Sequence, residues 1–281
     1  MSKIKIVTDS TADLSSEIIE KFNITVVPLS IHINGQTYHD RVDITPREFI
    51  KLMKDSDELP KSSQPSAGVF VEKYDQLYDE GFEEILSIHM TGGMSGTVQS
   101  AESAAGMAKA KVSVIDSRYI SKALAFQVIE AAIMAEEGKP LDEIIQRVKD
   151  IQKNTKLYVV VDTLENLIKG GRIGKGKGLI GSLLNIKPIA SLDDGVYTPV
   201  SKVRSHTQVV KYLAKQFVED AKGKTIKSVG ITHANGLELA NKLKHSIEEL
   251  TGFLHVTVED TTPIISTHTG PGAIGFCYHI E

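Results

Sequence analysis

The sequence predicts an α/β fold made of two α/β domains, the first built on a mainly parallel sheet. Three observations lead there. Short β-branched runs alternate with helical patterns through the first half. Polar or glycine-rich loops lie between a strand and the helix after it. The second half keeps strands and helices but adds a hairpin signal at Asp193-Asp194-Gly195. Repeated strand–helix units call for parallel strands covered on both faces, and the hairpin brings antiparallel pairing into the second half.

The elements follow in order. Ile4–Thr8 is short and apolar, a buried strand, and Ser15 caps a helix to Phe22. Thr25–Ile33 alternates around Pro28 and ends in the turn signal Asn34-Gly35. Thr45-Pro46 opens a helix to Lys54. Lys61–Ser66 reads as a polar loop whose last serine caps a helix to Tyr78. Strand 84–89 leads into the loop Gly92-Gly93-Met94-Ser95-Gly96-Thr97 and an alanine-rich helix to Lys109. Strand 111–115 and helices 123–137 and 141–152 complete the first domain, 1–155. In the second, 156–281, strand 157–161 precedes a short helix ending at Gly170-Gly171, and a hairpin covers 187–200. Helix 208–221, strand 228–233, helix 236–250 and strands 255–259 and 273–280 close the chain.

With 281 residues and 41% hydrophobic content, two cores can be buried. Lys and Arg number 32 against 36 acidic residues, a balance that sets nucleic-acid binding aside. The single cysteine, Cys277, lies in a strand pattern and reads as a core thiol; it excludes disulfides within the chain and multi-thiolate zinc sites. Met1-Ser2-Lys3 runs straight into the first strand, so no signal peptide is read and the expected location is the cytoplasm. No metal constellation emerges: His32, His39 and His233 lack ligand-like company. Asp9 reads as a local capping group at the end of the first strand.

Ser95 stands where open α/β sheets collect ligands, and the helix after it offers free N–H groups to an anion. The same position suits simple helix capping. A nucleophile elbow would need glycine where Thr97 stands, so a serine esterase or thioesterase using Ser95 with His268 is the alternative rather than the leading reading. His268 lies in the polar, glycine-rich segment Thr267–Gly272, read as a loop beside apolar runs. Gly171–Lys177 falls short of a P-loop because Gly178 replaces the magnesium-ligating hydroxyl, and Gly176–Gly181 matches a dinucleotide motif with no strand before it. A flexible basic loop is the expectation there. Its cations Arg172, Lys175, Lys177 and Lys187, joined by Lys202 and Arg204, suit phosphate or an acidic partner.

Taken together, Val7–Leu14, Val27-Pro28-Leu29, Ser63-Gln64-Pro65, Ser95-Gly96-Thr97, Gly170–Ile173 and His268-Thr269-Gly270 resemble the DegV family over almost the whole chain. The resemblance implies a long-chain fatty acid, such as palmitate or oleate, buried between the two domains. It assigns the carboxylate to Ser62, Ser95 and His268, with Ser63 and Gly96 as further donors. It further implies a binding subunit without catalysis of its own or cofactor, which presents the carboxylate to a separate ATP-using fatty acid kinase subunit, and it turns Arg172 and Arg204 toward that partner. Two departures stand out. Ser62 replaces the usual threonine and keeps the hydroxyl. Thr91-Gly92-Gly93 replaces a serine pair, an expected loosening of that loop.

Overall fold

The computed structural model describes residues 3–182 and 186–281; Met1 and Ser2, on which the leader reading rests, lie outside them. In the first half the chain runs β1 (Ile4–Asp9), α1 (Ser16–Lys21), β2 (Thr25–Val27), β3 (Ser30–Ile33), β4 (Gln36–His39), α2 (Pro46–Lys54), β5 (Lys61–Ser63), α3 (Ala67–Asp79), β6 (Glu84–His89), α4 (Thr97–Ala105), β7 (Lys111–Asp116), α5 (Ser121–Glu136) and α6 (Leu141–Lys153). Strands β2-β1-β6-β7 pair in parallel throughout, as the strand–helix alternation requires. The start of α2 follows its sequence signals: Thr45 and Glu48 form a reciprocal capping box, with Pro46 in the first turn.

A separate antiparallel sheet, β4-β3-β5, corrects one expectation. The segment read as a polar loop before Gln64 contains β5, with Ser62 opposite Ile31 and Ser63 opposite Ser30. Its polar composition hid the pairing. The partner β3 supplies the apolar side chains, Ile31 and Ile33, that bury this small sheet.

The second half runs β8 (Thr155–Val160), α7 (Glu165–Lys169), β9 (Lys187–Asp193), β10 (Val196–Val203), α8 (His206–Asp220), β11 (Ile226–His233), α9 (Leu237–Thr251), β12 (Val256–Asp260), α10 (Pro263–Thr269) and β13 (Ile274–Ile280). Its sheet has the order β10-β9-β8-β13-β11-β12, and only β11–β12 is parallel. Asp194 and Gly195, at φ +50° and +75°, form the two-residue turn between β9 and β10. One face of the sheet packs against α8 and α9 through Val160, Phe217, Phe276 and Leu243. The other face, carrying Leu157, Val159 and Cys277, shares a single core with Leu124 and Val128 of α5 from the first half.

Two further expectations change. His268 lies on α10, not in a loop. Thr262 caps that helix by accepting from Ile265 N–H, and Pro263 occupies its first turn. Residues 174–182 form a 3-10 helix rather than a loose basic loop. A Cβ at Gly174 would stand 2.6 Å from the Tyr197 carbonyl, and one at Gly176 would stand 3.0 Å from the Tyr197 ring. Those glycines let the 3-10 helix lie against β10, which accounts for a motif-like spacing without a phosphate.

The start of α10 is held from the first half. Asp13 accepts from Thr262 N–H (2.9 Å), Thr261 Oγ1 (2.9 Å) and Ser121 Oγ (2.5 Å). Asp40 accepts from Ile264 N–H at 3.3 Å. Burial pushes both carboxyls upward, Asp40 to about 7.

Candidate functional site

A cavity of about 310 Å3 lies between the carboxyl edge of the parallel sheet and the larger sheet. Thr11 follows β1 there and Met90 follows β6, the position expected for a ligand in an open α/β sheet. Leu167, Leu192, Val159 and Tyr197 close it from the second half, and Ile264, Ile265 and Thr269 of α10 form another wall. The lining is mostly apolar, at the lower end of the size range of small-molecule sites.

Each polar group on the wall is held by a hydrogen bond. Ser62 Oγ and His268 Nε2 lie 2.7 Å apart. Gly170 lets α7 approach that histidine, since a Cβ there would meet His268 Nδ1 at 2.4 Å. Arg172 donates from Nε to the Met94 carbonyl (3.1 Å) and from Nη1 to the Gly170 carbonyl, and its side chain reaches the cavity. Ser95 also lines the cavity; its hydroxyl lies 2.8 Å from Thr97 Oγ1 and accepts from Thr97 N–H at 3.3 Å. Thus Ser95 lines the cavity while its hydroxyl holds the first residue of α4, one position ahead of the Gly96 N-cap. Ser63 is a wall residue too, 2.9 Å from His32 Nε2 on the neighbouring strand. Among the described residues His268 Nδ1 is buried with no hydrogen-bond partner. Burial, aided by the Arg172 charge, holds His268 down to about 4, so the ring is neutral near pH 7.

The structure thus gathers Ser62, Ser63, Ser95 and His268 around one cavity. Gly96 stands behind them: the Gln64 amide packs on it so closely that a Cβ would meet Gln64 Oε1 at 2.4 Å. Arg172, expected on a partner-facing surface, is half-buried and forms part of the cavity wall. Arg204 is exposed and does not line the cavity; its backbone N–H donates to Gln208 Oε1. Of the other basic residues, Lys187 is paired with Asp162 at 2.5 Å, while Lys175 and Lys177 are exposed. Tyr197, Leu192 and Gln64 escaped the sequence reading. Two look like ordinary core, and only the adjacency of Gln64 to Ser63 pointed toward the site.

The glycine pair after Thr91 does not loosen its loop. Gly92 N–H donates to Asp116 Oδ2, Gly93 N–H to Thr91 Oγ1, and Thr91 Oγ1 to the Gly195 carbonyl (all 3.1 Å). The β9–β10 turn therefore sits directly on the loop that carries Ser95.

The pairing needed for hydrolysis falls elsewhere than on Ser95 and His268. Ser87 Oγ lies 2.7 Å from His89 Nε2, and His89 Nδ1 lies 3.1 Å from Asp9 Oδ2, the linear order of a hydrolase triad. All three are fully buried, and the Tyr74 hydroxyl covers the serine at 2.7 Å. Burial alone would raise Asp9; the His89 hydrogen bond and charge, with Thr11 and the Met90 N–H, hold it below the usual carboxylate range. Cys277 is equally inert, its thiol pushed up to about 12 by burial. Among the described residues no cluster of three or more potential metal ligands occurs, and no helix is long and apolar enough to cross a membrane.

Comparison with known proteins agrees with this architecture. The chain is 46% identical over 282 residues to a DegV domain-containing protein of Listeria monocytogenes, covering all of both chains. It is 46% identical over 275 residues to one from Staphylococcus aureus, covering 98% of each. A structure described as fatty acid binding of a DegV family protein from Thermus thermophilus superposes with a TM-score of 0.92 at 31% identity and 99% coverage of each chain. DegV from Bacillus subtilis, described as a fatty acid binding protein, superposes with a TM-score of 0.90 at 31% identity over the full length of both. The family model described as uncharacterised protein, DegV family, matches residues 3–281, and the chain belongs to the DegV family.

Proposed function

We propose that this protein binds one long-chain fatty acid, such as palmitate or oleate, in the cavity between residues 1–155 and 156–281. In this reading it presents the carboxylate to a separate ATP-using kinase subunit, which forms the acyl phosphate and feeds lipid metabolism in the cytoplasm. The protein itself is a carrier without catalysis. The observation that carries the reading is a mostly apolar cavity lined by a small polar set, Ser62, Ser63, Ser95, His268 and Arg172, in which Ser62 and His268 are in hydrogen-bond contact.

The energetics suit a carrier. Each buried methylene contributes about 0.8 kcal/mol, so a long chain gains on the order of 10 kcal/mol, comparable with the cost of association. The tail then supplies affinity and the hydroxyls, His268 and Arg172 orient the head. A carboxylate beside Arg172 and His268 offsets the Arg172 charge and gives the donors an acceptor. Arg204, exposed on the surface, remains available to an acidic or phosphate-bearing partner. An esterase using Ser95 is less well supported, because His268 is bonded to Ser62 and burial makes it a weak base.

Mass spectrometry of lipid extracted from the purified protein tests the proposal, with palmitate and oleate titrations beside it. Recovery of free fatty acid is expected. Absence of lipid together with no uptake of either acid overturns it. Addition of the kinase subunit and ATP tests presentation; acyl phosphate formation that proceeds equally without this protein removes that half of the proposal.

A further inference from the structure

Behind the main cavity lies a second, much smaller void of about 20 Å3. The two share Ile120, Val159, Ile265 and Thr269 as a common wall. Beyond that wall the void is closed by Leu157 and by the hydroxyl residues Ser121 and Thr232. It exists because β13 carries Gly275 at this point: a Cβ there would stand 2.9 Å from Thr232 Oγ1 and 3.8 Å from Leu157 Cδ1.

The closure is rigid for a chemical reason. Ser121 Oγ donates to the buried Asp13 carboxylate and lies 2.9 Å from Thr232 Oγ1. Displacing Ser121 would strip a buried carboxylate of a donor, and displacing Thr232 would break its buried bond to Ser121; apolar contact with a hydrocarbon replaces neither. The void accommodates roughly one or two methyl-sized groups, since about 10–15 Å3 of such volume holds a single small probe. Apolar Leu157 on one side and locked hydroxyls on the other make it a seat for a chain end and a barrier to anything longer.

We propose that the Ile120–Val159–Ile265–Thr269 wall and the void behind it are the ruler that sets the longest acyl chain this protein accepts, with the terminal methyl seated against Leu157. The inference rests on the fatty acid reading above. Leu157 borders the void but not the main cavity, so it separates tail length from head recognition.

The test is the affinity of the full chain for a homologous series of saturated fatty acids, from medium to very long. Wild-type affinity should rise about fourfold per added methylene up to a limit and then fall. Leu157→Ala should move that limit to chains about two or three carbons longer. Leu157→Val should move it by about one, and carries the test should the alanine variant not fold. Val159→Ile, which adds bulk to the shared wall, should move it the other way. An unchanged limit in the folded Leu157 variants overturns the ruler while leaving fatty acid binding intact. A wild-type protein that binds no member of the series overturns the fatty acid reading itself.

Discussion

Ser62 Oγ and His268 Nε2 are 2.7 Å apart although 206 positions separate them in the chain. One sits on β5 of the small sheet and the other on α10, so this contact joins the two halves at the cavity. Replacing Ser62 by alanine leaves both His268 nitrogens without a protein partner. A hydrogen bond to a charged group is worth roughly 1.5–3 kcal/mol, so Ser62→Ala should weaken fatty acid binding about 10- to 150-fold. Ser62→Thr retains the hydroxyl and should stay within a few-fold of wild type. Displacement of a fluorescent fatty acid measures both, and an alanine variant with wild-type affinity would remove Ser62 from the site.

His268 makes the ligand-free protein acid-sensitive. Its folded value of about 4 lies below the ordinary 6.5, so the unfolded chain binds the proton first as pH falls. The stability tied to its neutral form is fully present above about pH 6.5 and is lost progressively toward pH 4, in total on the order of 3 kcal/mol. His268→Gln cannot titrate and should show a shallower loss of melting temperature between pH 7 and 4.5. Parallel profiles for the two proteins would contradict the assignment.

Asp40 has the opposite sign. Burial raises its carboxyl to about 7, so the folded protein keeps the proton after the unfolded chain has lost it. Its contribution falls as pH rises from about 4 to 7 and is constant beyond. Asp40→Asn preserves an acceptor for Ile264 N–H and removes the titration. Relative to wild type, this variant should gain melting temperature as the buffer moves from pH 5 to pH 8. A gain that is the same at both values would refute the coupling.

Gly195 is the point where the β9–β10 turn rests on the Ser95 loop. A Cβ there would lie 1.9 Å from Thr91 Oγ1, and the residue has φ +75°. Gly195→Ala must lift the turn away, break the Thr91 contact and strain the backbone, together costing about 2–4 kcal/mol. Urea unfolding should register the loss, and fatty acid affinity should fall with it because Leu192 and Tyr197 wall the cavity from the same hairpin. Wild-type stability in this variant would show that the contact is incidental.

The parallel sheet, most helix starts and the Asp194-Gly195 hairpin were legible because each is written in local chemistry: β-branched runs, Thr45-Pro46, and a residue pair suited to φ above zero. Strand β5 was not legible, since Ser62 and Ser63 owe their pairing to β3 rather than to their own composition. Nor was α10 read as a helix, because Thr267 and Gly270 look like turn residues once the Thr262-Pro263 start is overlooked. Ser95 and His268 stood out through position and polarity. Tyr197, Leu192 and Ile265 did not, because a wall that receives a hydrocarbon has the same composition as a wall that receives another side chain. Arg172 was legible as a cation, but its direction depends on where the Gly170 and Met94 carbonyls lie.

Ser87, His89 and Asp9 hold the spacing of a hydrolase inside a fully buried core, whereas among the described residues the histidine beside the cavity has no acid behind it. The reagents and the reaction vessel are kept in different rooms. A molecule entering the cavity therefore meets His268 already bonded to Ser62, with the hydroxyls of Ser63 and Ser95 along the same wall.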